Sequence, residues 1–144
     1  MAKRVQVVFD CHDPAALSRF WAQALGYELE PPPPGFASWQ DWLRAQKVPE
    51  DQWNSASACV DPEGVGPRLY FQRVPEGKVV KNRVHLDIIA GGPKGTAPEE
   101  RRAKVNAGAE RLVGLGAKRL QAREERGAYW VNMLDPEENE FDVE

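Results

Sequence analysis

His85 and Asp87 stand two residues apart in the run R-V-H-L-D-I-I. In an extended strand that spacing puts an imidazole and a carboxylate on the same face. A carboxylate beside a histidine can orient the ring for general-base work, or both can contribute to a metal site. The third option is a hydrogen-bonded polar pair lining a cleft. His12 enters a helix from a loop and reads as a solvated side chain. A second group of residues suited to recognition is aromatic. Trp39, Trp42 and Trp53 crowd into one stretch, and Tyr70 and Trp130 fall in strand-like runs. Such rings either cover an apolar opening or stack on a flat ligand.

The elements that must position these groups occur twice. V-Q-V-V-F-D leads through Asp13-Pro14 into an apolar-periodic stretch ending at Leu25-Gly26. R-V-H-L-D-I-I leads through a Gly/Pro loop into a second periodic stretch ending at Leu115-Gly116. Each half then reaches an Asp-Pro-Glu turn, at Asp61 and Asp135, followed by a strand. A unit used twice should bury a sheet face against its twin and leave a shared cleft. The expected fold class is α+β. Two βαβββ modules form a curved, mixed-sheet, barrel-like cleft with the helices outside.

Local signals set the boundaries. Asp13 can cap a helix with Pro14 in its first turn, and Gly26 stops it. Residues 27–30 suit a short strand, and Pro31–Pro34 an extended spacer. Ser38 can cap a short helix beginning at Trp39, with Asp41 at the capping-box position. Strands follow near 56–60 and 67–74, then 83–89, 118–122, 128–134 and 139–143. Thr96 is the expected cap of the second long helix, whose interior Gly108 costs about 1 kcal/mol relative to alanine. The whole chain, 1–144, reads as one domain: module 1 over about 1–75, with an insertion at 31–55, and module 2 over about 80–144.

Strand parity then assigns faces. Val5, Val7 and Phe9 should meet the first helix, leaving Gln6, Val8 and Asp10 for the cleft. Leu69 and Phe71 go under, so Arg68, Tyr70 and Gln72 face the cleft. Val84, Leu86 and Ile88 go under, so His85 and Asp87 do. Phe141 and Val143 go under, so Glu140, Asp142 and Glu144 do.

Composition narrows the class. The chain has 144 residues, 42% hydrophobic and 28% charged, and a net charge of −3. That size supports a buried core, and the acidic balance without a Lys/Arg block argues against nucleic acid. No signal core or membrane-length apolar run occurs, so a cytoplasmic protein without a membrane partner is expected. Cys11 and Cys59 have no C-x-x-C spacing and read as reduced thiols.

The opening V-V-F-D-C-H-D-P-A-A-L-S-R-F-W-A-Q-A-L-G-Y and the closing W-V-N-M-L-D-P-E-E-N-E-F-D-V resemble the vicinal oxygen chelate superfamily. Glyoxalase I, bleomycin-resistance proteins and extradiol dioxygenases belong to it. The run R-L-Y-F-Q-R-V-P-E with K-N-R-V-H-L-D-I is similar to an uncharacterised glyoxalase-like branch. The resemblance implies ligand positions at Gln6, Gln72, His85 and Asp142, the residues that parity also aims inward. Metal-using members mostly offer His and Glu there, so this set implies a weakly held divalent metal or none. Three functions follow as expectations. One is a binder sequestering an apolar or aromatic small molecule against Trp39, Trp42, Trp53, Tyr70 and Trp130. Another is a metal-dependent lyase, isomerase or dioxygenase, with His85 and Asp87 as catalytic groups. The last is a non-catalytic scaffold. A homodimer is expected, with the modules paired within one chain or swapped between two.

Overall fold

The computed structural model describes residues 1–144 as two compact units, Met1–Gly77 and Lys78–Glu144. In the first unit the order is β1 (Val7–Cys11), α1 (Pro14–Leu25), β2 (Glu28–Leu29), α2 (Trp39–Ala45), a 3-10 turn at Glu50–Gln52, β3 (Ala56–Val60) and β4 (Leu69–Arg73). In the second it is β5 (Asp87–Ile88), α3 (Pro98–Gly114), β6 (Lys118–Glu125), β7 (Ala128–Leu134) and β8 (Glu140–Val143). Both are βαβββ units with the same sheet order, β1-β4-β3-β2 and β5-β8-β7-β6. In each, the first and last strands pair parallel and the other pairs are antiparallel. Each four-stranded sheet is open; neither closes into a barrel.

Helix α1 follows its sequence signals residue by residue. The Asp13 carboxylate accepts from the Ala16 amide, Pro14 opens the helix, and Gly26 closes it in the left-handed region at φ 71°. Its apolar stripe, Leu17, Phe20, Trp21 and Ala24, is buried against β3 and β4. Phe9 stacks on Phe71 and tilts against Trp21, so the core of this unit is built around aromatic rings. The insertion is fastened back onto the same helix end. Asn54 accepts from the Ala15 amide and donates to Asp13, with distances of 2.9 Å and 2.8 Å.

That arrangement yields a test. The Asn54 hydrogen bond, aided by the Ala16 amide, holds the Asp13 carboxyl below its ordinary value. A depressed carboxyl contributes stability above its unfolded pKa, and the contribution is lost as pH falls through the folded one. Asn54→Ala should therefore cost about 1 kcal/mol at neutral pH. In urea unfolding followed by circular dichroism, the gap from wild type should narrow in acid. A gap that stays constant between pH 7 and pH 3 would show the Asn54–Asp13 bond contributes nothing.

In the second unit, Val105, Ala109 and Leu112 of α3 are buried, and the helix packs chiefly on β7. Gly108 permits the close approach. A Cβ there would lie 3.1 Å from the Ala90 Cβ and 3.4 Å from the Val143 Cγ1. Phe141 and Val143 are buried beneath it, as alternation along β8 requires.

Several expectations need correction. The strand placed at 83–89 is only Asp87–Ile88, although the Leu86 carbonyl still accepts from the Asp142 amide. Val84, expected beneath the helix, is 80% exposed because it precedes the ladder. Val5 is exposed for the same reason, β1 beginning at Val7. Thr96 does not cap α3: its hydroxyl donates to the Pro93 carbonyl, and Ala97 stands at the cap with Pro98 opening the helix. Cys11 and Cys59 are buried free thiols, and burial pushes the Cys59 thiol up to about 12. No helix is long and apolar enough to cross a membrane.

Candidate metal centre

Parallel pairing of β5 with β8 sets Asp87 directly across from Asp142. His85 lies two residues before Asp87, and its Nε2 is 3.4 Å from Asp87 Oδ1 and 3.5 Å from Asp142 Oδ2. One nitrogen and two carboxylate oxygens all lie within 4.8 Å of one another. One imidazole with two carboxylates is a donor set suited to a divalent cation such as Mn²⁺, so these residues fit the ion. The three differ in burial: the Asp142 side chain is 18% exposed, against 42% for His85 and 41% for Asp87.

The neighbouring carboxylate is committed elsewhere. Glu140, on the Asp142 face of β8, accepts from the Asn82 amide at 2.9 Å and pairs with Lys78 at 3.1 Å. Burial works to raise its pKa, but the Asn82 amide and Lys78 outweigh this and hold it below the ordinary value. Glu140 therefore anchors the segment that carries His85.

A residue that the sequence reading missed completes the centre. Asn132 lies opposite Asp142 in the β7–β8 ladder, and its Nδ2 donates to Asp142 Oδ1 at 2.6 Å. Arg123 Nε in turn donates to Asn132 Oδ1 at 3.3 Å. Asn132 was recoverable in principle, since buried Val131 and Met133 flank it and force it onto the other face.

Gln6 and Gln72 belong to the first unit, and hydrogen bonding there is extensive. Gln6 Oε1 accepts from Arg68 at 2.7 Å, while Arg68 grips both oxygens of Glu30 and lies over the Tyr70 ring. Gln72 donates to Asp10 at 2.8 Å. The shared topology also fixes which residues correspond. Tyr27 donates to the Ala22 carbonyl as Ala117 does to Leu112, giving both units the same landmark. Following the ladders from there, Leu29, Cys59, Leu69 and Val7 match Arg119, Met133, Phe141 and Leu86. Gln6 then matches His85, Val8 matches Asp87, and Tyr70 rather than Gln72 matches Asp142. The first unit thus has no acidic group at the corresponding positions.

The tryptophans of the insertion are half-buried, and two have their indole N–H groups bound to backbone carbonyls. Trp39 donates to the Glu30 carbonyl at 2.7 Å and Trp53 to the Val48 carbonyl at 2.9 Å. Trp39 and Trp42 meet edge to face. Trp130, also half-buried, lies two residues before Asn132 and on the same face of its sheet.

No curated protein matches the chain. Solved structures match over nearly its full length. A glyoxalase/bleomycin resistance protein/dioxygenase family enzyme from Burkholderia phytofirmans is 16% identical, with 96% of this chain and 94% of that one covered and a TM-score of 0.60. The fosfomycin resistance protein FosX from Mesorhizobium loti is 12% identical, with 99% and 90% covered and a TM-score of 0.62. A FosX from Listeria monocytogenes, complexed with Mn(II) and 1S,2S-dihydroxypropylphosphonic acid, is 11% identical, with 99% and 89% covered and a TM-score of 0.61. At these identities the likeness is one of fold. The family described as a glyoxalase-like domain matches residues 6–144, nearly the entire sequence, and the chain belongs to it.

Proposed function

We propose that this glyoxalase-like protein binds an oxygen-bearing small molecule through a divalent cation held by His85, Asp87 and Asp142. The convergence of one imidazole and two carboxylates at the start of the β5–β8 pair carries this reading. A bound cation would supply Lewis-acid polarisation of adjacent substrate oxygens, which suits lyase, isomerase or dioxygenase chemistry. The chain's own residues contribute position. Glu140 tethers the Asn82 backbone, the parallel ladder sets Asp87 beside Asp142, and Trp130 offers a ring on the same sheet face. The Mn(II) complex of the Listeria relative supports a metal-dependent reading. Calorimetric titration of metal-stripped protein with Mn²⁺, Ni²⁺ and Zn²⁺ tests it. One ion per chain is expected, lost in His85→Ala; affinity unchanged in that variant would remove His85 from the site.

A second reading is sequestration of an apolar or aromatic compound by the insertion, supported by the half-exposed edge-to-face pair of Trp39 and Trp42. The indole hydrogen bonds of Trp39 and Trp53 give those rings a fastening role, which places this reading second. Ligands detected by fluorescence should weaken on Trp42→Ala if it holds; hits indifferent to that change would leave the rings as fasteners.

A further inference from the structure

We propose that Asn132 is a positioning residue, which turns the Asp142 carboxylate so that Oδ2 faces the cation seat. The inference rests on the reading of His85, Asp87 and Asp142 as that seat. Asn132 Nδ2 holds Asp142 Oδ1 at 2.6 Å, a short contact typical of a donor facing an ionised acceptor, and Oδ2 is the oxygen nearer His85. The amide is itself held in one orientation. Arg123 donates to its oxygen, which leaves the NH₂ group to face Asp142. Gln121, opposite Asn132 on β6, holds the same guanidinium once its amide oxygen is turned toward Arg123, accepting from Nη2 at 2.7 Å and sharing Nε with Asn132 at 3.2 Å. A row Arg123–Asn132–Asp142–His85 thus crosses the polar face of the sheet.

Two observations separate this role from ordinary sheet pairing. Asparagine is disfavoured in strands, and Asn132 occupies a central one, on the face turned away from the buried Val131 and Met133. Packing does not call for it there. The first unit supplies the comparison: Tyr70 stands where Asp142 does, and the residue opposite Tyr70 is Ala58. The amide accompanies the carboxylate and is absent where the carboxylate is absent.

The experiment is Mn²⁺ titration by calorimetry, with the Mn²⁺ paramagnetic resonance spectrum recorded alongside, on wild type, Asn132→Leu and Asp142→Asn. Leucine keeps the branched shape and heavy-atom count of asparagine and removes the donor; Asn132→Ala serves if leucine does not fold. Affinity about 10- to 100-fold weaker is expected in Asn132→Leu, with an altered Mn²⁺ spectrum and the urea midpoint of the metal-free protein retained. A shifted midpoint with unchanged Mn²⁺ affinity would make Asn132 a structural pair and overturn the proposal. Wild type that binds no Mn²⁺, or binding that survives Asp142→Asn, would overturn the cation seat itself and this inference with it. Binding lost in Asp142→Asn but intact in Asn132→Leu would overturn the positioning role alone.

Discussion

Trp21→Ala is expected to destabilise the protein by about 3–5 kcal/mol, the range for deleting a fully buried large ring. Trp21 is 1% exposed, meets Phe20 edge-on at 5.5 Å between centroids, and tilts against Phe9 at 5.2 Å. Alanine would remove the ring joining α1 to the aromatic stack on β1 and β4. The cavity would be bounded by helix and sheet backbone, which collapse poorly. Urea unfolding at neutral pH, followed by circular dichroism, measures the loss. A cost below about 1 kcal/mol would mean that the first unit repacks freely, contrary to an interlocked core.

Asp142→Asn is expected to weaken Mn²⁺ binding by at least about 100-fold, more than removal of an outer partner such as Asn132. The substitution keeps shape and backbone pairing but removes half of the acidic charge offered by the three residues. Amide oxygen is a poor substitute for carboxylate toward a hard dication. The new side chain's remaining oxygen can still accept from Asn132 Nδ2, which turns its NH₂ group, a donor, toward the cation seat. Calorimetry against the Asp87→Asn variant ranks the two acids. Wild-type affinity in Asp142→Asn would reduce Asp142 to a cross-strand partner of Asn132.

How far the sequence carried is clearest at particular residues. The ends of α1 and α2 were readable because caps are local chemistry: Asp13, Gly26 and Ser38 act within four residues of themselves. The inward burial of Leu69, Phe71, Phe141 and Val143 was readable because parity is a property of any strand with one covered face. Val84 was misread because its apolar side chain fits the alternation, whereas the start of β5 depends on where its parallel partner β8 begins. The counterpart of Asp142 in the first unit, Tyr70 and not Gln72, was hidden for a related reason. Tyr70 lies nine residues after Asp61 but Asp142 only seven after Asp135, so counting from the turns does not align the two strands and only the ladder register does. Asn132 escaped notice because an amide in a strand signals nothing until the carboxylate opposite it is known.

The most direct measurement is anomalous diffraction from crystals of metal-stripped protein resupplied with Mn²⁺. The predicted result is a single manganese peak within coordination distance of His85 Nε2, Asp87 Oδ1 and Asp142 Oδ2, with Asn132 still bonded to the other Asp142 oxygen. A peak bound elsewhere, or no peak in protein saturated with Mn²⁺, would contradict the assignment of these three residues as the metal centre.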